Sequence, residues 1–262
     1  FKNLEKKEMI ECIIQARMGS SRLPGKTLME LENHMTTLDF VVNQVSCSKL
    51  DRIIIATTSL IEDKVIYEKA KILGIESFRG SNIDVLDRYY QCAKKFRINT
   101  IVRITADCPL VDPDVIDEAI KEYQKSKCDY LTNSLERTFP NGTEVEIFSF
   151  KSLEKAWKNA KKPSEREHVT PYFYNNQEEF NIFHLKQKID QSEYRYSLDQ
   201  EEDFELLLEI VSRIKQRPIH TNDIISLLEK NPELLKLNSD IQINEGYIKS
   251  IEEEERENEK KN

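Results

Sequence analysis

Three apolar runs, Ile10 to Ile14, Arg52 to Ala56 and Thr100 to Ile104, each stop at a polar loop. Short apolar runs bounded in this way predict buried strands. The stretches between them carry helical spacing. Helices are predicted over Thr36 to Val45, over Glu62 to Leu73 with Gly74 as its stop, and over Asp84 to Phe96. The last has Val85, Leu86, Tyr89 and Ala93 as its apolar stripe and follows a turn at Arg79-Gly80-Ser81-Asn82 that caps it. A short strand, Ile75 to Phe78, precedes that turn, and a helix from Pro113 to about Lys125 starts where proline is tolerated. Strand, loop and helix in repetition predict an α/β fold, a mostly parallel sheet with helices on both faces, whose ligands bind beyond the carboxyl ends of the strands. The loops Arg17 to Lys26, Thr57 to Ser59 and Thr105 to Asp112 are therefore expected to meet in one crevice.

Beyond Cys128 the rhythm changes. A strand is predicted over Cys128 to Leu131, a turn at Phe139-Pro140-Asn141-Gly142, and a strand over Thr143 to Phe150. On that last strand Val145, Ile147 and Ser149 share one face, and Glu144, Glu146, Phe148 and Phe150 the other. Ser152 to Ala160 reads as a helix with Trp157 in the core, and Lys161-Lys162-Pro163 separates it from a second helix through Ser164 to His168. Ile182 to Leu185 and Tyr194 to Leu198 read as strands; Glu201 to Ile214 and Asn222 to Glu229 read as helices, the latter capped by Thr221 or Asn222. The tail from Ile248 to Asn262 has no apolar stripe after Ile251 and predicts a solvated or frayed helix. The expected organisation is one domain, 9–245, with 128–185 as an acceptor-side lobe over the crevice and 246–262 as a charged tail.

Charge and cysteine content narrow the class. Net charge is −8 and no basic face appears outside one loop, so nucleic acid is not an expected partner. The five cysteines are scattered without C-x-x-C pairs and read as reduced. No apolar run is long enough to cross a bilayer, and the first ten residues lack a secretory apolar core, so a cytoplasmic protein is expected. Phe1 to Glu8 reads equally as an ordered extension or a disordered leader.

The one cationic loop runs from Gln15 to Lys26, Gln-Ala-Arg-Met-Gly-Ser-Ser-Arg-Leu-Pro-Gly-Lys. Gly19 lets backbone N–H groups approach phosphate oxygens, Ser20 and Ser21 donate hydrogen bonds, and Arg17, Arg22 and Lys26 offset anionic charge. It is not a Walker loop: Ser20 to Pro24 places one residue too many between Gly19 and the Gly25-Lys26 pair, and Pro24 removes a backbone donor. No G-x-G-x-x-G follows a predicted strand, which leaves a dinucleotide fold without support. Asp107 follows the third strand and Asp199 follows Tyr194 to Leu198. Two such carboxylates beside a phosphate loop suit Mg²⁺, although loop and capping aspartates are common in these places.

These residues resemble the cytidylyltransferases that activate sugars, including CMP-Kdo and acylneuraminate cytidylyltransferases and most closely the spore coat polysaccharide biosynthesis protein F group. The resemblance runs from about Met9 to Val211. It rests on Gln15 to Lys26, Asp84-Val-Leu-Asp-Arg-Tyr, Arg103-Ile-Thr-Ala-Asp-Cys-Pro-Leu, Ser164-Glu-Arg-Glu-His-Val-Thr-Pro-Tyr and Ser197-Leu-Asp-Gln-Glu-Glu-Asp-Phe. It implies a nucleotide-diphospho-sugar transferase-like fold and transfer of CMP from CTP to a sugar acid or related small acceptor, in cell-surface glycan precursor synthesis. It further implies that Arg17, Gly19, Ser20, Arg22 and Lys26 bind triphosphate, with Lys26, Arg22 and Asp107 catalytic. Asp107 and Asp199 hold Mg²⁺, Asp87 and Arg88 lie in the base-recognition segment, and Arg166 and His168 lie on the acceptor side; the family also makes a homodimer possible. Where the family usually carries a proline soon after the second aspartate, this chain has Gln200-Glu201-Glu202. Two other readings stay open. A metal-dependent glycosyltransferase usually carries an Asp-x-Asp loop, and Asp112-Pro-Asp114 begins a helix instead. A non-catalytic nucleotide-binding module would bind nucleotide and never release pyrophosphate.

Overall fold

The computed structural model describes residues 9–259. Phe1 to Glu8 and the last three residues of the charged tail lie outside the described residues, so the expectation for the leader is not addressed. Strand β1 (Ile10–Gln15) leads through the cationic loop to a hairpin of β2 (Glu30–Glu32) and β3 (Met35–Thr36). Then follow α1 (Thr37–Ser46), β4 (Arg52–Thr58), α2 (Lys64–Ile72), β5 (Glu76–Gly80), α3 (Val85–Phe96), β6 (Thr100–Thr105) and α4 (Pro113–Ser126). The second half adds β7 (Tyr130–Thr132), β8 (Glu146–Ser149), α5 (Phe150–Asn159), α6 (Pro163–His168), α7 (Pro171–Asn175), β9 (Ile182–His184), α8 (Glu201–Arg213), α9 (Thr221–Lys230) and α10 (Glu245–Glu259).

The main sheet has seven strands in the order β5-β4-β1-β6-β8-β7-β9. Only β8 runs against the rest, antiparallel to both β6 and β7. β1 is interior, with Cys12 opposite Ile53 on one side and Val102 on the other. Strand alternation sends its side chains to two cores. Cys12 and Ile14 pack with Leu38, Val41, Ile66, Ile116 and Ala119 from α1, α2 and α4. Ile13 packs with Leu86, Tyr89, Leu153 and Phe173 from α3, α5 and α7. Fully burying each such aliphatic or aromatic side chain stabilises the fold by about 1.5–3 kcal/mol, which is why a both-sides-apolar strand takes the interior position. A third cluster joins α8 and α9 to Leu31, Leu110, Tyr196 and Leu198 and sits beside the sheet. All five cysteines are free thiols.

The stretch 128–185 extends the same sheet with β7, β8 and β9, places α6 and α7 beside the crevice, and packs α5 against α3. Three details differ from the sequence reading. The strand expected over Thr143 to Phe150 is only Glu146–Ser149, because the Ser149 hydroxyl accepts from the Ser152 N–H and starts α5 at Phe150. Tyr194 to Leu198 is extended but is not a sheet strand. Its backbone is shared between two loops, with Tyr196 N donating to Asn141 O at 2.8 Å and Leu198 N to Asp107 O at 2.7 Å. Gly142, at φ 116°, permits the first of these approaches; a Cβ there would lie 2.7 Å from the Tyr196 ring. Finally, the charged tail is a helix that packs back on the protein. Its polar side chains, not an apolar stripe, make the contacts: Ser250 reaches His168, and the Glu254 carboxylate accepts from Ser164 N.

Candidate active site

The carboxyl ends of β1 and β6, the Tyr194 to Leu198 segment, and helices α6, α7 and α10 enclose a cleft of about 520 Å³. Its floor at one end is the cationic loop, which is tied down locally. Met18 N donates to Asp63 Oδ1 at 2.6 Å, Gly25 N to Met18 O at 3.0 Å, and Thr27 Oγ1 to Arg17 O at 2.7 Å. Gly25 adopts φ 77°, a left-handed conformation suited to glycine, and from it a single 3-10 turn sends Lys26 into the cleft.

Lys26 joins the cationic loop to the loop after β6 and to the end of the Tyr194 to Leu198 segment, whereas Thr57 to Ser59, expected in the same crevice, do not line it. Its ammonium donates to Leu198 O at 2.6 Å and Asp199 Oδ1 at 3.0 Å, and lies 3.4 Å from Asp107 Oδ2. Asp107 is itself oriented by Thr105, whose hydroxyl donates to Oδ1 at 2.5 Å. Arg22 Nη2 donates to the same Asp199 oxygen at 2.8 Å. Burial is the largest influence on Lys26 and works to lower its pKa, yet the fields and hydrogen bonds of Asp107 and Asp199 outweigh it and leave the group above its ordinary value. Burial likewise works to raise the Asp199 carboxyl, and the Lys26 and Arg22 charges hold it below its usual range.

Asp199 is supported from behind. Arg195, buried, donates through Nη2 to Asp199 Oδ2 at 3.0 Å and Asp203 Oδ2 at 2.9 Å, through Nε to Asp203 Oδ1 at 3.0 Å, and through Nη1 to Asn141 Oδ1 at 2.8 Å. Asp203 also accepts from the backbone N–H of Asp199 and of Gln200. One carboxylate oxygen of Asp199 thus faces the buttress and the other faces the cleft. Two carboxylates converging on a single cationic centre, with hard oxygen donors only, fit a divalent ion of the Mg²⁺ type; in the structure that centre is the Lys26 ammonium.

Paired charges line the rest of the cleft. Arg103 contacts Glu146, and its Nη2 donates to Gln15 Oε1 at 3.3 Å. Glu144 accepts from Arg137 Nη1 at 2.5 Å, Asn141 Nδ2 at 2.7 Å and Gly142 N at 2.8 Å. His168 shares a 2.9 Å hydrogen bond with Ser250 Oγ, and burial is the main cause that lowers its pKa. The residue after it, Val169, sits at φ 74°, ψ −56°, closed by a 2.9 Å bond from Thr170 N to His168 O. A β-branched residue in that conformation is strained, and such strain concentrates at functional sites.

Of the residues singled out from sequence, Arg17, Ser20, Arg22, Lys26, Asp107, Asp199 and His168 line this cleft. Gly19 is exposed on the same loop and is not among the lining residues. Asp87, Arg88 and Arg166 are elsewhere. Asp87 accepts from Trp157 Nε1 at 2.8 Å and Gln91 Nε2 at 3.0 Å. Arg88 is fully buried, donates to Ser81 O at 2.8 Å, and is pushed down to about 10 by burial. Arg166 reaches Asp84 and donates to Trp157 O at 2.7 Å, which ties α6 to the cap of α3. Asp87 and Arg166 are held by structural partners, whereas Arg88 keeps Nε and Nη2 buried without a hydrogen-bond partner among the described residues. Residues the sequence reading passed over include Glu144, Glu146, Arg137 and Arg195; the alternation of glutamates with apolar residues in 144–148 was the available signal for the first two.

The cytidylyltransferase family profile matches residues 11–240. The chain is 40% identical over 232 residues to an uncharacterized protein of Methanocaldococcus jannaschii, covering 87% of this chain and 94% of that one. It is 32% identical over 232 residues to the spore coat polysaccharide biosynthesis protein SpsF of Bacillus subtilis, covering 84% and 94% respectively. A solved cytidylyltransferase structure from Leptospira borgpetersenii superposes with a TM-score of 0.84 at 36% identity, covering 90% of this chain and 99% of that chain.

Proposed function

The chain belongs to the cytidylyltransferase family, and from that premise we propose that it moves CMP from CTP onto a sugar acid or related small polar acceptor in glycan precursor synthesis. The observation that carries this reading is the Lys26 ammonium, held between Asp107 and Asp199 at the base of the cationic loop. An acceptor oxygen attacks the α-phosphorus, the bond to the bridging oxygen of the β-phosphate breaks, and pyrophosphate leaves with that electron pair. Little covalent chemistry is asked of the protein. Arg17, Ser20, Arg22 and Lys26 align the triphosphate and offset the charge that builds on the transferring group. Asp107 and Asp199 are the residues that would hold Mg²⁺, which supplies Lewis-acid charge neutralisation at phosphate oxygens when bound.

The acceptor class rests on two supports. SpsF carries polysaccharide biosynthesis in its name, and the cleft is also lined by Arg103, Glu146, Glu144, His168, Thr170 and Tyr174, a polar set suited to hydroxyls and a carboxylate. The test is to incubate the protein with Mg²⁺, each nucleoside triphosphate and a panel of sugar acids and sugar phosphates, then follow pyrophosphate and free nucleotide. Pyrophosphate release with CTP and an acceptor is expected. Free nucleotide released from a nucleotide-sugar, with no pyrophosphate from CTP, overturns the assignment in favour of a glycosyltransferase. Sedimentation velocity tests the homodimer that the family resemblance leads us to propose.

A further inference from the structure

Helix α10 touches both the cationic loop and α6. At its start the Glu245 carboxylate accepts from Arg22 Nη1 at 2.8 Å and from Gln200 Nε2 at 3.3 Å. Further along, the Tyr247 ring meets His168 edge-on at 5.2 Å and Tyr174 at 6.4 Å, Ser250 is bonded to His168, and Glu254 accepts from Ser164 N. The helix therefore runs along the cleft from the cationic loop to α6, with Glu245, Tyr247, Lys249, Ser250 and Glu253 among the lining residues.

Its chemistry is wrong for a permanent wall of an anion site. Residues 245–259 contain seven glutamates against Lys249 and Arg256, and two of those glutamates, Glu245 and Glu253, line the cleft with Lys249. No apolar side chain of α10 belongs to any of the buried clusters, so polar bonds and ring edges hold it, the kind of attachment that opens at low cost. Asn244, at φ 61°, turns the chain immediately before the helix. The helix also lies beyond residues 11–240, the stretch matched by the family.

We propose that α10 is an autoinhibitory strap: the Glu245 carboxylate takes, on Arg22, the place of a phosphate oxygen, and a nucleoside triphosphate displaces it in order to bind. This rests on the assignment of the cleft to CTP made above. Arg22 has two faces in use, Asp199 on Nη2 and Glu245 on Nη1. A triphosphate that draws on Arg22 competes directly with the second. The strap lowers apparent nucleotide affinity by the fraction of molecules in which it is closed.

Titration calorimetry of the full chain with CTP and Mg²⁺ tests this, alongside limited proteolysis at the Glu252 to Glu255 run with a glutamate-specific protease. Glu245→Gln is expected to bind CTP roughly two- to five-fold more tightly, the scale of one solvent-facing ion pair. Saturating CTP is expected to speed cleavage of α10 in the unmodified chain, and Glu245→Gln to be cleaved fast without it. Ser250→Ala, which loosens the far end without touching Arg22, is expected to shift both readouts in the same direction. Unchanged or weaker CTP binding by Glu245→Gln, or protection of α10 by CTP, overturns the strap; protection identifies a lid that closes on nucleotide instead. If no form binds CTP, the nucleotide assignment itself fails and the strap falls with it, whereas normal binding with an unmoved α10 removes the strap alone.

Discussion

At the residue scale the cleft is an arrangement of charges whose orientation is fixed from outside. Asp107 is aimed by a threonine two positions earlier, and Asp199 by Arg195. Asp107→Asn keeps shape and removes charge, so the fold is expected to persist while turnover falls by about 10²-fold or more, the scale seen when a catalytic electrostatic group is lost; near-normal pyrophosphate release by this variant would refute the metal assignment. Arg195→Gln is expected to weaken Mn²⁺ binding, read by electron paramagnetic resonance in the presence of CTP, by about 10–100-fold, as outer-shell partners of metal ligands do. Arg195→Lys is expected to recover little of this, because an ammonium cannot reproduce the forked contacts to Asp199 and Asp203. Lys26 and Asp107 were legible in the sequence because each follows a predicted strand at its carboxyl end. Arg195 was not, since its importance comes from three partners, Asn141, Asp199 and Asp203, that only tertiary structure assembles.

At the element scale the strands of the parallel half were legible almost to their ends, because apolar runs buried on both faces leave little alternative. The failures were local contests. Phe150 continued the period of a strand, but the Ser149 cap took it for α5; the hairpin of β2 and β3 was too short to stand out from a loop. The antiparallel joint of β6 and β8 is pinned by Arg103 opposite Glu146, whose second oxygen takes the Tyr130 hydroxyl. Removing one partner of a buried pair strands the other. Glu146→Leu alone is therefore expected to lower stability by about 3–5 kcal/mol, and Arg103→Met/Glu146→Leu together to recover most of it, in urea unfolding of both variants. Equal losses in the single and double variants would show that packing, not charge compensation, governs the joint.

At the scale of the whole molecule an acidic protein gathers its loop cations toward two inward-facing carboxylates, and this couples the site to stability. The folded Asp199 carboxyl titrates below its unfolded value of about 3.9, so its contribution is present above that pH and is lost as pH falls through the folded value. Lys26 titrates above its unfolded value of about 10.4, so its contribution is complete below that pH and is lost as pH rises through the folded value. The stability difference between the unmodified chain and Asp199→Asn, from thermal melts, is expected to be flat from about pH 6 to 9 and to shrink below about pH 4; a difference that persists undiminished into acid would contradict the pairing. The expected sheet class and the meeting of the loops after β1 and β6 were legible, whereas Thr57 to Ser59, expected in the same crevice, stay out of it, and the course of the tail was not legible because polar helix contacts leave no periodic trace. One consequence concerns synthesis on the ribosome. Lys26 and Asp199 stand 173 residues apart in sequence, which at ordinary elongation rates separates their appearance by roughly 9–35 s. Throughout that interval the nascent chain carries its cationic loop without the Asp199 carboxylate that pairs with Lys26, so this charge cluster closes late, only after the segment around Arg195 has emerged and docked.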